Sequence, residues 1–215
     1  MADIYAFPTG VKSRTGRDAD PELPGRPVGV PDDVWQAVES IREMPHLRDV
    51  RYREIPVPST LADYGIGVEL ESGAREDAAD RMFDGTMPTG LATGWIMILY
   101  SVEPRSDWGS NWRCVAFARL PLDKGENDAL TPDMYWDIMC DHLDAAEPGS
   151  IGGTVTVTRN TAFGSLGRDD SAGCEMRVSF TPTTFDGMSY DAGASVSAWA
   201  RFLRSTIFDG ETDVD

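Results

Sequence analysis

The chain contains no run of roughly 18 apolar residues, so no segment of it is long enough to cross a bilayer as a helix. Its opening, Met1 to Val11, lacks the basic start and long apolar stretch of a secretory signal, and the expected location is the cytoplasm. Cysteine is scarce. Cys114, Cys140 and Cys174 are odd in number and widely spaced, which excludes a disulfide framework or a CxxC pair built from sequence neighbours. Three reduced thiols are expected, with Cys114 and Cys174 on buried strand faces, where cysteine behaves as a small hydrophobe. Basic residues are outnumbered, 19 Lys and Arg against 36 Asp and Glu, and the net charge of −17 repels phosphate backbones and anionic membranes. Direct nucleic-acid binding and membrane association are therefore not expected.

Catalytic signatures are also missing. Phe163-Gly164-Ser165-Leu166-Gly167 has Phe163 where a nucleophile elbow needs glycine, and no helix follows it. His46 and His142 are the whole supply of imidazole, and His142 falls on an apolar helix arc, as a packed boundary histidine does. Gly65-Ile66-Gly67 lacks the third glycine and the helix of a dinucleotide loop. The acidic stretch Asp123 to Met134 fails as a calcium loop at Gly125, Asp128 and Met134. No catalytic residue, metal or cofactor is assigned.

What is present is a well-supplied core: 41% of the chain is hydrophobic, with six Trp and eight Phe, enough apolar area to offset the entropy of ordering one domain. Residues 1–30 are rich in Pro and Gly without apolar period, and a disordered leader is expected there. A single domain is expected over 31–208, with an acidic flexible insertion at 72–90 and an acidic tail at 209–215.

Within the domain, Val34, Val38, Ile41 and Met44 recur at helical spacing between Pro31 and Pro45. Val50 to Pro58 reads as an extended approach. Tyr64 to Glu71 alternates with period two; Trp95 to Tyr100 is apolar on both faces, as a central strand covered on both sides is; Trp112 to Leu120 follows as a third strand. Pro132 to Ala146 sorts into two helical arcs, Met134, Tyr135, Ile138, Met139, His142 and Leu143 opposite Asp133, Asp137, Asp141 and Asp144. Thr154 to Thr161 and Cys174 to Phe180 alternate again, and Ala192 to Phe208 places Val196, Trp199, Ala200, Leu203 and Ile207 on one helix side. The expected fold class is α+β: one antiparallel sheet of about five strands in the order helix, three strands, helix, two strands, helix, with helices mainly on one face. That order is similar to the topology of type III secretion chaperones.

Two features are candidates for binding. Between Asp123 and Glu147 eight acids face one base, Lys124, a local charge of −7; the stripe is either a solvated helix face or a docking surface for a basic protein. The second is a pair of loops with aromatics beside flexible backbone, Asp107 to Trp112 around Trp108 and Gly109, and Thr161 to Gly167 around Phe163 and Gly164. Each loop is either a binding element or a hairpin turn whose aromatic shields the edge of the core.

Glu54-Ile55-Pro56-Val57-Pro58, Ala92-Thr93-Gly94, Asp107-Trp108-Gly109, Gly152-Gly153-Thr154-Val155-Thr156, Ala162-Phe163-Gly164 and Ser179-Phe180-Thr181-Pro182 occur in this order and spacing. On those residues the segment from Val34 to Phe208 resembles an actinobacterial family, domain of unknown function 3000. It departs from the family pattern at Ser110, where a further glycine is usual, and in its leader and its acidic insertion. The resemblance implies an intracellular protein with no assigned activity, encoded near a ribonuclease-D-like exonuclease. The leading functional expectation is a non-enzymatic adaptor or chaperone-like domain that binds a basic protein, with a homodimer through the outer sheet face as a possible assembly. The alternatives are a small-molecule enzyme or ligand-binding protein using the 107–113 and 161–167 loops, and an accessory to an RNA-processing exonuclease.

Overall fold

The computed structural model describes residues 25–73, 91–122, 130–144, 146–161, 163, 170–184 and 189–208. The expected leader up to residue 24, most of the acidic insertion and the acidic tail lie outside the described residues. Within them run α1 (Asp32–Glu43), β1 (Val50–Ile55), β2 (Tyr64–Ser72), β3 (Ala92–Arg105), β4 (Ser110–Leu122), α2 (Thr131–His142), β5 (Gly152–Thr161), β6 (Asp170–Phe180) and α3 (Ala192–Phe208). The strands form one sheet in the order β1-β2-β3-β4-β6-β5, with every neighbouring pair antiparallel. The α+β class and the single antiparallel sheet are as expected; the strand count is six rather than about five.

The additional strand is β1, read from sequence as an extended approach. It is a short edge strand whose alternate residues Arg51 and Arg53 face solvent, leaving Val50 and Tyr52 as a weak apolar signal. Pairing with β2, from Val50↔Ser72 to Ile55↔Gly67, makes it a strand, and that pairing is tertiary information.

The register sorts the sheet into two faces. Leu70, Gly94, Ala118 and Met176 lie in one cross-strand row, and Val68, Ile96, Ala116 and Val178 in the next; this side is buried beneath the helices. Trp199, Phe202 and Leu203 of α3 are fully buried in the same core, and each buried side chain of that size contributes about 1.5–3 kcal/mol. The opposite face carries the rows Arg51-Glu71-Thr93-Arg119-Glu175-Thr156, Arg53-Glu69-Trp95-Phe117-Arg177-Thr154 and Ile55-Gly67-Met97-Val115-Ser179-Gly152. No helix among the described residues lies over this side. The expectation that β3 is covered on both faces holds only in part: on the outer side Leu99 is buried, but Trp95 and Met97 are only half-buried, because three helices on one face make two layers, not three.

Part of the outer face is covered by the β1–β2 connection. A Cβ at Gly65 would meet the Val57 side chain at 2.5 Å and one at Gly67 would meet it at 3.1 Å, so Val57 rests where these two residues have no side chain. Farther along, the β3–β4 pairing shifts register between Tyr100 and Arg105. Side chains take over the interrupted ladder: Asp63 accepts from Val102 N–H at 2.9 Å, and Asn111 Nδ2 donates to the carbonyls of Ser101 and Val102 at 2.8 and 3.0 Å.

The helical layer starts slightly before the expected boundary at residue 31. Val30 is buried, Arg26 donates to its carbonyl and pairs with Asp32, and Tyr64 Oη donates to Gly29 O at 2.9 Å. At the other end, α3 crosses α1 closely at Gly193, whose N–H donates to Ser40 Oγ at 3.1 Å. No helix of the described residues is long and apolar enough to cross a membrane.

Candidate functional site

The acidic residues of α2 lie where helical periodicity puts them. Asp133, Asp137 and Asp141, with Asp144 just beyond the helix end, are all exposed, while Tyr135 and Met139 are buried and Ile138 and His142 half-buried. Met134 departs from the expected apolar arc: it is 46% exposed, and Leu130 one turn earlier is 71% exposed. Trp136 and Cys140 instead pack against the core. The helix therefore presents apolar Leu130 and Met134 beside four carboxylates that form no ion pair among the described residues.

The two aromatic loops are separated by the fold. Trp108 and Gly109 form the β3–β4 turn, Gly109 with φ of 65°, next to the start of β4, whereas Phe163 follows β5, whose last residues pair with the start of β6 beside Leu122. At about 3.3 Å per residue, on the order of 40 Å of strand lies between them. Among the described residues, Trp108 and Phe163 therefore do not share a pocket. Phe163 is 77% exposed; Gly164 lies outside the described residues.

The Trp108 turn is held to the sheet instead. Arg105 pairs with Asp107 at 2.9 Å and lies over the Trp108 ring at 4.4 Å; that pairing, with a smaller contribution from Arg113, holds the Asp107 carboxyl below its ordinary range. Buried Thr181 joins the turn to β6. Its Oγ1 donates to Trp108 O at 2.7 Å and accepts from Arg113 Nη1 at 3.0 Å, and Arg113 Nη2 donates to Ser179 Oγ at 2.7 Å. Two of the motifs singled out in the sequence, Asp107-Trp108-Gly109 and Ser179-Phe180-Thr181-Pro182, thus meet in one hydrogen-bonded corner.

The residues that sequence reasoning missed are in the middle of the outer face. Trp95 and Phe117 stack at 5.8 Å, Arg177 lies over Phe117 at 5.5 Å, and Met97 and Val115 continue the half-exposed apolar patch. Charged ladders flank it. Arg53 pairs with Glu69 on the β1 side, and Glu175 accepts from Arg119 at 2.8 Å and Arg177 at 3.1 Å on the β6 side, which pulls the Glu175 carboxyl below its ordinary range. A shallow depression bounded by Arg51, Arg53, Glu69, Glu71 and Thr93 runs along the β1 rim. Among the described strand residues of this face, Arg51, Arg53, Arg113, Arg119 and Arg177 stand against Glu69, Glu71 and Glu175, 5 − 3 = +2 on a chain of −17. The signal available in the sequence was the Trp95-to-Tyr100 run itself: a strand apolar on both sides, in a fold with helices for one side, leaves an apolar surface open.

The nucleophilic and basic groups sit in packing roles. Burial pushes the Cys114 thiol up to about 12, against smaller opposing effects of its contacts with Tyr190 and Ser195; its Sγ lies 3.2 Å from Tyr190 Oη. Burial likewise raises Cys174 to about 11, while Cys140 is half-buried and shifted upward by burial and by Asp137 and Asp141. His142 Nε2 lies 3.1 Å from Ser205 Oγ, and His46 stacks on Tyr52 at 4.4 Å; burial lowers both imidazoles. Among the described residues no group of three or more His, Cys, Asp or Glu is arranged to hold a metal ion.

No curated protein and no solved structure matches this chain. Residues 30–207 match the family described as protein of unknown function DUF3000, a span that takes in the whole sheet, the Trp108–Thr181 corner and most of α3. The chain therefore belongs to the DUF3000 family.

Proposed function

We propose that this protein is a non-enzymatic, adaptor or chaperone-like module that seats a partner protein on the helix-free face of its sheet. The observation that carries the reading is the half-exposed patch of Trp95, Met97, Val115 and Phe117 at the centre of the sheet, with arginine and glutamate ladders around it. Aromatic and arginine side chains are those most enriched where interfaces concentrate their binding energy, and a polar rim around an apolar centre is the usual anatomy of such a surface. A face of charge +2 on an acidic molecule favours an apolar segment flanked by acids.

A second surface has its own support. Exposed Leu130 and Met134 beside Asp133, Asp137, Asp141 and Asp144 suit a basic amphipathic segment. An accessory role beside an exonuclease is a special case of either surface, with protein rather than RNA as the partner. A secretion-chaperone-like topology belongs to the same reading, with β1 as an edge strand beyond the three strands expected before α2. Three free thiols accord with a reducing cytoplasm.

The test is capture from lysate with three baits: the unaltered chain, Phe117→Arg, and Asp137→Lys with Asp141→Lys. A partner lost with Phe117→Arg and kept by the α2 variant supports the sheet face; the reverse result assigns binding to α2. A partner retained equally by both variants, or none recovered at any salt concentration, overturns the proposal.

A further inference from the structure

The two edges of the sheet are built differently. β1 has six residues, carries Arg51 and Arg53, and runs into Pro56 and Pro58. Short length, charge and nearby proline keep an edge from recruiting another strand. β5 has ten residues, pairs with β6 without a register shift, and has neither charge nor proline from Gly152 to Thr158. On its far side no strand among the described residues is paired with it, so alternate N–H and C=O groups point outward.

The order of residues along this edge selects its occupant. Thr154-Val155-Thr156-Val157-Thr158 reads the same in both directions. When two such strands run antiparallel about a two-fold axis at Thr156, Thr154 of one copy faces Thr158 of the other, Val155 faces Val157, and Thr156 faces itself. All the threonines lie on the outer face and both valines on the helix side, so each pair is of like, β-branched residues, and such pairs stabilise strand association. A surface that is its own complement closes into a dimer.

We propose that two copies of this chain pair through their β5 edges, antiparallel and centred on Thr156, and join their sheets into one. The outer faces of both copies then lie side by side, which doubles the surface around Trp95 and Phe117. The pairing does not depend on that surface binding anything. Each copy carries −17, so the two repel at long range and added salt favours association, whereas capture of a basic protein by α2 weakens with salt.

Sedimentation over a range of protein and salt concentrations, on the full chain and on Thr156→Lys, tests the proposal. The exposed Thr156 side chain neighbours Glu175, so the lysine is accommodated within one copy but meets its equivalent across the two-fold axis. The expected result is a dimer whose Kd rises at least ~10-fold in T156K. Thr156→Cys supplies a second reading: oxidation links the copies covalently, and Thr154→Cys, which faces Thr158, does not. A chain that stays monomeric at every concentration and salt level overturns the proposal, as does a dimer that T156K leaves intact. A dimer dissociated by Phe117→Arg but kept by T156K overturns it as well, by placing the interface on the sheet face.

Discussion

Trp95 of β3 and Phe117 of β4 are direct register partners, and their rings stack 5.8 Å apart at an interplanar angle of 23° on the side of the sheet without helices. Both rings are half-buried, so their contribution to folding combines the cross-strand pair, about 0.2–1 kcal/mol, with partial rather than full burial. Phe117→Ala is expected to lower unfolding free energy by about 1–2 kcal/mol. Phe180→Ala, in the core, is expected to cost about 3–5 kcal/mol. Urea unfolding of the two variants checks the contrast, and equal losses would contradict the assignment of Phe117 to an open face.

Thr181 is hydrogen-bonded to two parts of the chain remote from it in sequence: the β3–β4 turn and start of β4, at Trp108 and Arg113, and Ser150 before β5. Thr181→Val keeps the shape but removes the hydroxyl, leaving Trp108 O and Arg113 Nη1 without that partner in a half-buried setting. A loss of about 1–3 kcal/mol is expected, with Thr181→Ser restoring most of it. Denaturant midpoints of the two variants decide the matter.

Gly193 permits the close crossing of α1 and α3. A Cβ there would lie 2.4 Å from Ser40 O, so Gly193→Ala is expected to force the helices apart at about 1–3 kcal/mol. Gly152→Ala meets nothing within 4 Å and is expected to change stability by about 0.5 kcal/mol or less. Thermal unfolding of both variants separates a packing requirement from mere glycine content.

Burial depresses His46 and His142 below the ordinary 6.5, and Arg201 adds to the effect at His142. The unfolded chain therefore takes up protons near 6.5 that the folded chain refuses until lower pH, and stability falls as pH drops through that window. Below the folded pKa values the loss levels off. His142→Asn is expected to flatten the stability profile between neutral and mildly acid pH. The depressed Asp107 and Glu175 act in a separate, lower window, below their ordinary 3.8 and 4.5.

Thiol accessibility should divide the cysteines. Cys114 and Cys174 are buried, with thiols pushed up to about 12 and about 11, so neither forms thiolate at mildly alkaline pH. Cys140 is half-buried on α2. A thiol reagent is expected to label Cys140 first in the native protein and all three after unfolding, as read by mass spectrometry of the labelled peptides.

Much of the architecture was legible as period. The α2 arcs placed Asp133, Asp137 and Asp141 in water, and the alternation of Cys174, Met176, Val178 and Phe180 placed those residues in the core. Met134 escaped the same reasoning because periodicity gives a direction around the helix but not the extent of the neighbour packed there; the core ends before reaching it. β1 escaped because an edge strand has one strand partner and needs little apolar sequence.

Apolar spacing and charge, which act within a few residues along the chain, were enough for the element types, the helix-side core and the acidic flank. Long-range pairing decided what they could not express. Register brought Trp95 beside Phe117 and Thr181 beneath Trp108, separated the Trp108 and Phe163 turns by the length of β4, and left β5 at the margin of the sheet. Which surfaces stay open depends on how many layers the helices can cover, and that quantity exists only once the strands have found their neighbours.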